Sequence, residues 1–553
     1  MKKFLSKYWQ AVALVLLGVS ICWPLFVRGY FSHHDDLQVM RIFEMRKCFS
    51  DFQLPCRWVP DMGYGNGFPL FNYYGPLPYY LGGLVSYLLG YINSVKFIFF
   101  LSLVFAGISM YLLGKEVFGK AGGFIAGTLY LLAPYRALDA YVRGALSELF
   151  ALALIPLVFF FILKLIRKPR MGYLLGFILS LTLFLITHNI MTLLFVPALC
   201  IWSILWLYLE KGKNFKIVLL AYIISFGLSS FFTIPAFFEK NLVQTESLTR
   251  FELDFRAHFV TIKQLFLDRT WGYGASVLGP NDTISFQIGW PHWWLVLASL
   301  IGILGPRTKK KNRLLGGLLL ILFLVSIFMT HNKSAFVWES ISVLKFFQFP
   351  WRFLSLTIFS ASLLGGFVVS LVKENLQKYV LLAILIVTIA LNWGFFKPGE
   401  FYFGLTDKEK LTGALWEEQQ KGAILDYLPK TALEPKEKAP AIPEAKKGSA
   451  TVENFENRSN KWSFTTEVES QAYIEVPVFY FPEWKVKIDG VDMLLNHENY
   501  LGRIGVIVSA GEHAVEGIFT NTPIRTISNI ISVLSALAAI SLVLYGKNRK
   551  IFE

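Results

Sequence analysis

The run LSELFALALIPLVFFFILKL at residues 146–165 decides the fold class of this 553-residue chain. As an α-helix, a run of this length spans the hydrocarbon core of a bilayer, which is about 30 Å thick. Its charged residues, Glu148 and Lys164, lie near its ends. That placement is typical of a membrane helix, because a charge at the centre costs about 2.5–3.5 kcal/mol on insertion scales. The run therefore predicts a helix that crosses a membrane.

Similar apolar runs recur along the whole chain. Hydrophobic residues make up 54% of it and charged residues 16%, and the mean hydropathy is +0.50. The sequence predicts an α-helical polytopic membrane protein of about 12 transmembrane helices. The predicted spans are 8–27, 97–114, 121–134, 146–165, 172–187, 190–208, 217–236, 292–306, 314–330, 353–372, 379–396 and 526–545. The first span could also be a secretory signal peptide, but no small-residue cleavage site follows it, which favours a retained helix.

Basic residues between the spans indicate the orientation. When the sides are alternated along the chain, seven basic clusters fall on one face, which the positive-inside rule assigns to the cytoplasm. These clusters are Lys2/Lys3/Lys7, Lys115/Lys120, Arg167/Lys168/Arg170, Lys211/Lys213/Lys216, Arg307/Lys309/Lys310/Lys311/Arg313, Lys373/Lys378 and Lys547/Arg549/Lys550. We therefore expect an inner (cytoplasmic) membrane protein with both termini in the cytoplasm. The net charge of +15 is then an orientation signal, which makes nucleic-acid binding a poor explanation of it.

The longest polar stretch, 397–524, has the opposite charge balance, with 20 acidic against 14 basic residues, and is expected outside the cytoplasm. Its Glu- and Lys-rich sequence predicts a linker over 397–450. Over 451–524 the hydrophobic period becomes two, and Asp489-Gly490 is a tight-turn signal, so a small extracytoplasmic β-rich domain is predicted there. The bundle would then be 1–396, and 525–553 would hold the last helix and a cytoplasmic tail.

The loop at 28–96 is far longer than a connection between adjacent helices requires, and loops of that kind often carry function. It begins with His33, His34, Asp35 and Asp36, followed by a stretch whose periodicity predicts an amphipathic helix at the membrane interface. One Asp could cap that helix, but two adjacent carboxylates exceed what a cap needs. Cys48 and Cys56 lie in the same loop and could form a disulfide.

Three further loops, 134–148, 239–291 and 330–352, are expected on the same side. Ionisable residues at membrane depth are candidates for function by default. The candidates in these loops are Arg136, Asp139, Arg143, Glu148, His258 and Arg352. Four of them have a simpler alternative: Asp139 and Arg143 have the spacing of an intrahelical ion pair, a lone histidine such as His258 is more often structural, and Trp-Arg at a span boundary is ordinary anchoring. Glu148 has no obvious local partner in the sequence and is the stronger candidate.

Several motifs carry a resemblance to known families. The early acidic cluster, PLPYYL (76–81) and LLGKEVFG (112–119) resemble the GT-C superfamily of polyprenyl-phosphate-sugar-dependent glycosyltransferases. A closer resemblance is to bacterial membrane proteins labelled 6-pyruvoyl-tetrahydropterin synthase-related, a label that does not imply pterin chemistry. It rests on RWVPD (57–61), GYG (63–65), PLFNY (69–73), YVRGA (141–145), WGYG (271–274) and FPWRF (349–353). The segment FPEWKVKIDG (481–490) resembles YfhO-like membrane proteins.

These resemblances imply a membrane glycosyltransferase that moves a sugar from a polyprenyl-phosphate donor to an extracytoplasmic glycan, lipid or protein acceptor. Asp35 or Asp36 would be the general base. The residues expected to bind substrate are His34, Arg41, Arg136, Asp139, Arg143, His258 and Arg352. Glu148 would hold a divalent metal, Mg²⁺ or Mn²⁺, together with one of the first-loop aspartates. The adjacent acids lack the Asp-x-Asp or Glu-x-Asp spacing of some GT-C members, which leaves metal dependence open. Two alternatives are a flippase or transporter for a lipid-linked glycan and a non-catalytic glycan-binding protein of the envelope.

Overall fold

A computed structural model describes residues 2–249, 251–279, 281–306 and 308–549. Arg307 and Lys550, which belong to the expected basic clusters, and the rest of the tail over 551–553 lie outside the described residues.

The first half of the helical bundle contains ten helices. They are α1 (Lys2–Ile21), α2 (Gln38–Ser50), α3 (Leu70–Tyr73), α4 (Leu77–Leu89), α5 (Tyr91–Leu131), α6 (Pro134–Leu138), α7 (Leu146–Arg167), α8 (Met171–Leu185), α9 (Asn189–Leu209) and α10 (Phe215–Phe238). The remaining helices are α11 (Ile262–Phe266), α12 (Trp290–Leu304), α13 (Lys310–Thr330), α14 (Ala335–Ser340), α15 (Leu354–Ser370), α16 (Glu374–Asn392), α17 (Asp407–Lys410), α18 (Gly413–Lys421) and α19 (Pro523–Arg549).

In the described ranges, eight helical segments are long and apolar enough to cross a membrane, and four shorter apolar helices accompany them. Every one of the twelve predicted spans falls on a helix, which confirms the polytopic helical fold. The spans 97–114 and 121–134 both lie in α5, where Gly119 has φ +78° and separates two helical halves. The prediction missed α4, an apolar helix inside the loop 28–96 that packs on α2 and α5.

Close backbone contacts hold the centre of the bundle. α5 packs on both α7 and α15, and most residues of α7 and α15 are buried. A methyl group at Gly122 of α5 would lie 2.7 Å from the carbonyl oxygen of Gly366 in α15. Small residues at such contacts let membrane helices approach closely, where packing rather than hydrophobicity drives association. α16 and α19 have few buried residues and form the periphery of the bundle.

The expected amphipathic helix exists as α2, but it is not a surface helix. Its residues are buried on several faces, including the charged Arg41 and Glu44, because α4 and α5 pack against it. Neither aspartate caps it: the N-cap position is Leu37, without a side-chain hydrogen bond. The two carboxylates form ion pairs with Arg41 and Lys410 instead. Cys48 at the end of α2 is disulfide-bonded to Cys56.

In the part of the chain that the structure describes, ten strands form a two-stranded antiparallel pair and a two-sheet domain. They are β1 (Tyr30–Phe31), β2 (Phe401–Tyr402), β3 (Glu444–Lys447), β4 (Ala450–Asn457), β5 (Lys461–Val468), β6 (Ala472–Phe479), β7 (Trp484–Ile488), β8 (Val491–Met493), β9 (Arg503–Val508) and β10 (Gly511–Phe519). The domain has a five-stranded sheet in the order β4-β5-β10-β7-β8 and a three-stranded sheet in the order β3-β6-β9. The tight turn predicted at Asp489-Gly490 joins β7 to β8, where Ile488 pairs with Val491.

The segment 397–450 is not a linker over its whole length, contrary to the prediction. Residues 433–443, within the stretch expected to be solvated, have no helix or strand, but the residues before them fold. β2 pairs antiparallel with β1, and α17, α18 and a short 3₁₀ turn at Ile424–Asp426 pack against the first loop. The β-domain begins earlier than predicted, at β3. It rests on the first loop through Arg503, which donates to Asn66 at 2.6 Å, and through Trp58, whose ring packs on Phe481 and Trp484. These contacts place the first loop between the bundle and the β-domain.

Candidate functional site

A buried ion-pair cluster lies at the end of the bundle that faces the first loop. We call it the Arg143 cluster and define it as Tyr135, Asp139, Arg143, Glu148 and Arg352. Nη1 of Arg143 donates to Oε2 of Glu148 at 3.0 Å and to Oδ1 of Asp139, and the Tyr135 hydroxyl donates to Oε1 of Glu148 at 2.6 Å. Nε of Arg352 lies 3.5 Å from Oε2 of Glu148. The charges of two carboxylates and two guanidinium groups thus cancel in this buried site, where the side chain of Glu148 is only 1% exposed.

Local backbone geometry brings these residues together. Asp139–Arg143 forms a single π-helical turn, which ends at Gly144 with φ +67°. Such turns often occur at functional sites because they turn side chains out of the regular helical register. Here the turn places Arg143 beside both Asp139 and Glu148, and its guanidinium lies 4.5 Å from the centre of the Trp351 ring.

The first loop joins this cluster through its backbone. The backbone N–H of Asp35 donates to the carbonyl oxygen of Arg143 at 2.9 Å, and the side chain of Gln38 donates to the carbonyl oxygen of Gly144 at 2.8 Å. Oδ2 of Asp35 accepts from Nη1 of Arg41 at 2.7 Å and from Gln38 at 3.0 Å. We call Asp35 and Arg41 the first-loop pair. It therefore sits directly beside the Arg143 cluster.

Asp36 faces a different set of groups. Its Oδ2 accepts from Nζ of Lys410 at 2.5 Å, and its Oδ1 lies 3.9 Å from Nε2 of His33. Lys410 is nearly fully buried. The adjacent carboxylates, which sequence alone could not distinguish, therefore have separate partners on separate sides of the loop.

Asp426, which the sequence analysis did not single out, completes the site. It lies in the 3₁₀ turn Ile424–Asp426 and is partly exposed. Its pKa is raised to about 6, mainly because burial by the surrounding protein disfavours the charged carboxylate. Asp35 raises this pKa further, whereas Arg41 and Arg352 lower it. The Asp426 carboxyl therefore interacts electrostatically with Arg41 and Asp35 of the first-loop pair and with Arg352 of the Arg143 cluster. The apolar sequence around it, AILDYLP (423–429), was the available signal that this segment is not a solvated linker.

Three guanidinium groups present free donors here. Arg41, Arg143 and Arg352 each use Nη1 in hydrogen bonds within the protein, and within the described ranges Nη2 of each has no hydrogen-bond partner. Burial opposes the charged form of Arg41, but Asp35 and its hydrogen bond raise the pKa of Arg41 above its ordinary value. Guanidinium groups stay protonated in proteins, so all three are cationic donors, and carboxylates or carbonyls hold them in place.

The other predicted site residues form no side-chain hydrogen bond or ion pair with the Arg143 cluster or the first-loop pair in the described structure. Arg136 is fully buried and donates to the carbonyl oxygen of Ser102 at 3.0 Å. His258 has both ring nitrogens in hydrogen bonds, with Ser276 Oγ at 2.9 Å and the carbonyl oxygen of Glu252 at 2.7 Å, so neither is available to a substrate. His34 is exposed, and its ring lies 3.0 Å from the carbonyl oxygen of Tyr273.

The donor set does not fit the divalent metal expected at Glu148. Both carboxylate oxygens of Glu148 already contact Arg143, Arg352 or Tyr135. The two guanidinium groups beside the carboxylate would repel a metal ion. No group of three His, Cys, Asp or Glu side chains that could hold a metal occurs in the described part of the chain.

Comparison with known proteins identifies the family to which this chain belongs. The model of the 6-pyruvoyl-tetrahydropterin synthase related domain, described as a membrane protein, matches residues 71–398, which is more than half of the chain. This confirms the resemblance predicted from the motifs. A protein of Lactococcus lactis subsp. cremoris (strain MG1363), named only as uncharacterized, is 24% identical over 245 residues, which are 42% of this chain and 40% of that protein.

Three solved structures show a weaker likeness. Arabinofuranosyltransferase AftD from Mycobacteria is 15% identical with a TM-score of 0.44, over 72% of this chain and 27% of that chain. The Archaeoglobus fulgidus oligosaccharyltransferase is 14% identical with a TM-score of 0.38, over 78% and 57%. ArnT from Cupriavidus metallidurans, bound to undecaprenyl phosphate, is 12% identical with a TM-score of 0.33, over 70% and 64%. At TM-scores below 0.5, these likenesses carry no inference about fold or activity. The chain spans about a quarter of AftD and two fifths of the Lactococcus protein.

Proposed function

This chain belongs to the family of membrane proteins described as 6-pyruvoyl-tetrahydropterin synthase related, and on that premise we propose that it is a membrane glycosyltransferase. It takes a sugar from a polyprenyl-phosphate-linked donor and transfers it to a glycan, lipid or protein acceptor outside the cytoplasm. It lies in the cytoplasmic membrane with both termini inside and the β-domain outside, as the distribution of basic residues favours.

One observation carries the proposal: the Nη2 donors of Arg41, Arg143 and Arg352 have no hydrogen-bond partner in the described structure, and Asp35 pairs with Arg41 and donates its backbone N–H to the carbonyl oxygen of Arg143. Guanidinium groups bind phosphate oxygens through charge-assisted hydrogen bonds. A carboxylate nearby can accept a proton from a hydroxyl. Phosphate-binding donors next to a base are what transfer from a phosphate-linked sugar requires.

Asp35 is the base in this proposal. Its Oδ2 is held by Arg41 and Gln38, which fixes the carboxylate, whereas Oδ1 has no hydrogen-bond partner among the residues that the structure describes. Asp36 is less suited, because its Oδ2 is bound to Lys410 and its Oδ1 is buried. The Asp426 carboxyl, whose pKa is raised to about 6 by burial and in part by Asp35, is a second acidic group that interacts electrostatically with Asp35.

The reaction follows from these positions. Oδ1 of Asp35 takes the acceptor hydroxyl proton as the acceptor oxygen forms a bond to the anomeric carbon. The bond from that carbon to the phosphate oxygen breaks on the opposite side, and its electron pair leaves with the polyprenyl phosphate, so the configuration inverts. The departing phosphate gains one negative charge, because a diester becomes a monoester. Arg143 and Arg352 stabilise that charge, since donors fixed in advance favour the transition state over the ground state.

The test uses the full-length protein in liposomes with a radiolabelled polyprenyl-phosphate hexose and an envelope extract as acceptor. We expect Asp35→Asn to lower the transfer rate about 10²- to 10⁴-fold, the usual contribution of a positioned base. Asp36→Asn should have a much smaller effect, and Asp492→Asn, at an exposed carboxylate of β8, none. Asp35→Asn with wild-type transfer would contradict the assignment of the base. A wild-type protein that binds the donor without releasing polyprenyl phosphate would contradict glycosyl transfer itself.

A further inference from the structure

A cavity separate from the candidate site opens where α1 ends and α5 begins. Its volume is about 600 Å³, and it shares no lining residue with the Arg143 cluster or the first-loop pair. The lining residues come from three segments that are distant in sequence, 25–29, 92–96 and 405–408.

Three cations line this cavity without a carboxylate partner. Arg28 and Lys408 are exposed, and no ion pair involves either within the described ranges. Lys96 is only 7% exposed, and its ammonium makes a single hydrogen bond, to the carbonyl oxygen of Val27 at 2.7 Å. A buried ammonium normally has a charged partner, because desolvation costs several kcal/mol. Lys96 therefore has a hydrogen-bond acceptor but no anionic partner in the described structure.

The only carboxylate among the lining residues is already occupied. Oδ2 of Asp407 accepts from the backbone N–H of Tyr91 at 2.7 Å, and Oδ1 accepts from that of Ile92 at 2.8 Å. Asp407 thus satisfies the first turn of α5, as an acidic side chain commonly does at a helix N-terminus. It does not neutralise Lys96, Arg28 or Lys408, since none of them lies within ion-pair distance of it in the described structure.

The position of the cavity indicates the source of the missing anion. Leu25 and Phe26 continue the apolar first span, and Phe26 is 66% exposed on the bundle surface. An apolar rim next to unpaired cations, at the end of a membrane helix, matches the boundary between acyl chains and headgroups.

We propose that this cavity binds the phosphate group of an anionic phospholipid, with Lys96 at its base and Arg28 and Lys408 at its opening. A headgroup without its own cation is favoured, because a choline ammonium would be repelled by the three basic residues. The site is independent of the sugar-transfer proposal, and its test measures binding rather than turnover.

The experiment titrates short-chain phosphatidylglycerol into the full-length protein in a neutral detergent and follows binding by calorimetry. Short-chain phosphatidylcholine and inorganic phosphate are titrated in parallel. We expect Lys96→Gln to weaken phosphatidylglycerol binding at least about tenfold, as for loss of a charge-assisted contact. The double variant Arg28→Gln/Lys408→Gln alters only exposed side chains and should weaken it by a similar factor. Lys397→Gln/Lys421→Gln removes two exposed lysines that do not line the cavity, and it should bind like the wild type.

The outcomes separate the possibilities. Phosphatidylglycerol binding that is lost in both cavity variants and retained in the control supports the site. Equal binding of phosphatidylcholine, or affinity for inorganic phosphate as high as for the lipid, would overturn the assignment to an anionic headgroup. Wild-type binding by the Arg28→Gln/Lys408→Gln variant would overturn the cavity as the site, even if Lys96→Gln failed to fold.

Discussion

Glu148→Gln is the sharpest test of the Arg143 cluster. The wild-type carboxylate lies 3.0 Å from Nη1 of Arg143 and 3.5 Å from Nε of Arg352, and it is 1% exposed. Glutamine preserves the shape of the side chain but removes its charge, so the cluster changes from neutral to a net charge of +1. Breaking a buried ion pair by removing one partner costs about 3–5 kcal/mol, because the remaining charge stays buried. We expect a loss of that size in the free energy of unfolding.

The chain supplies a matched control. Glu116 also bridges two cations, Lys164 at 3.0 Å and Arg167 at 2.8 Å, but its side chain is 22% exposed. Water screens such a pair, so we expect Glu116→Gln to cost less than about 1 kcal/mol. The contrast between the two carboxylates isolates the effect of burial, since each has two basic partners.

The assay is reversible denaturation in mixed micelles, combined with a double-mutant cycle. Arg352→Gln in the Glu148→Gln background should cost less than it does alone, with a coupling energy of about 1–3 kcal/mol for residues in one buried network. Equal losses for Glu148→Gln and Glu116→Gln would refute the role of burial. A coupling energy of zero would refute the contact between Glu148 and Arg352.

Two further predictions concern neighbouring residues. The pKa of Asp426 is raised from 3.8 to about 6, so between these pH values the folded state retains a proton that the unfolded state releases. The free energy of unfolding should therefore fall as the pH rises from about 4 to 6. Asp426→Asn should remove that fall, which denaturation curves at pH 4.5 and 7 would show. Gly144→Ala should destabilise the protein by more than the roughly 1–2 kcal/mol that a left-handed alanine costs, because the new methyl group would lie 2.3 Å from Nδ1 of His33. Adding His33→Ala should recover part of this loss in the same assay. If it recovers nothing, overlap with His33 is not the cause.

Membrane helices and turns were predictable from the sequence because their signals are local. The length of an apolar run predicts that it spans a bilayer, and Asp489-Gly490 predicts a tight turn, in both cases without knowledge of tertiary contacts. α4 was missed because Leu77–Leu89 is short and follows a Gly- and Pro-rich stretch. The motifs sufficed for the family, which the match over residues 71–398 confirms.

Candidate site residues were predicted less well, because residue type does not specify a partner. The sequence identified Arg143, Glu148 and Arg352 as unusual, and the structure brings them together. It also pointed to Arg136 and His258, which the fold directs to the carbonyl oxygen of Ser102 and to the side chain of Ser276. A charged residue in a membrane protein needs a partner, but only the three-dimensional packing decides which one.

By itself, then, the sequence determined that this is a polytopic membrane protein with a β-domain near its C-terminus, since hydrophobic length and period depend on neighbours along the chain. Only the tertiary structure decided how Asp35 and Asp36 differ and that Asp426 approaches them from almost 400 residues away. It also showed that part of the expected linker 397–450 folds against the first loop, where Lys410 binds Asp36 and Gln420 binds the backbone of Asp61. The physical reason is that electrostatic and hydrogen-bonding partners are set by distance in space, which an amino-acid sequence records only indirectly.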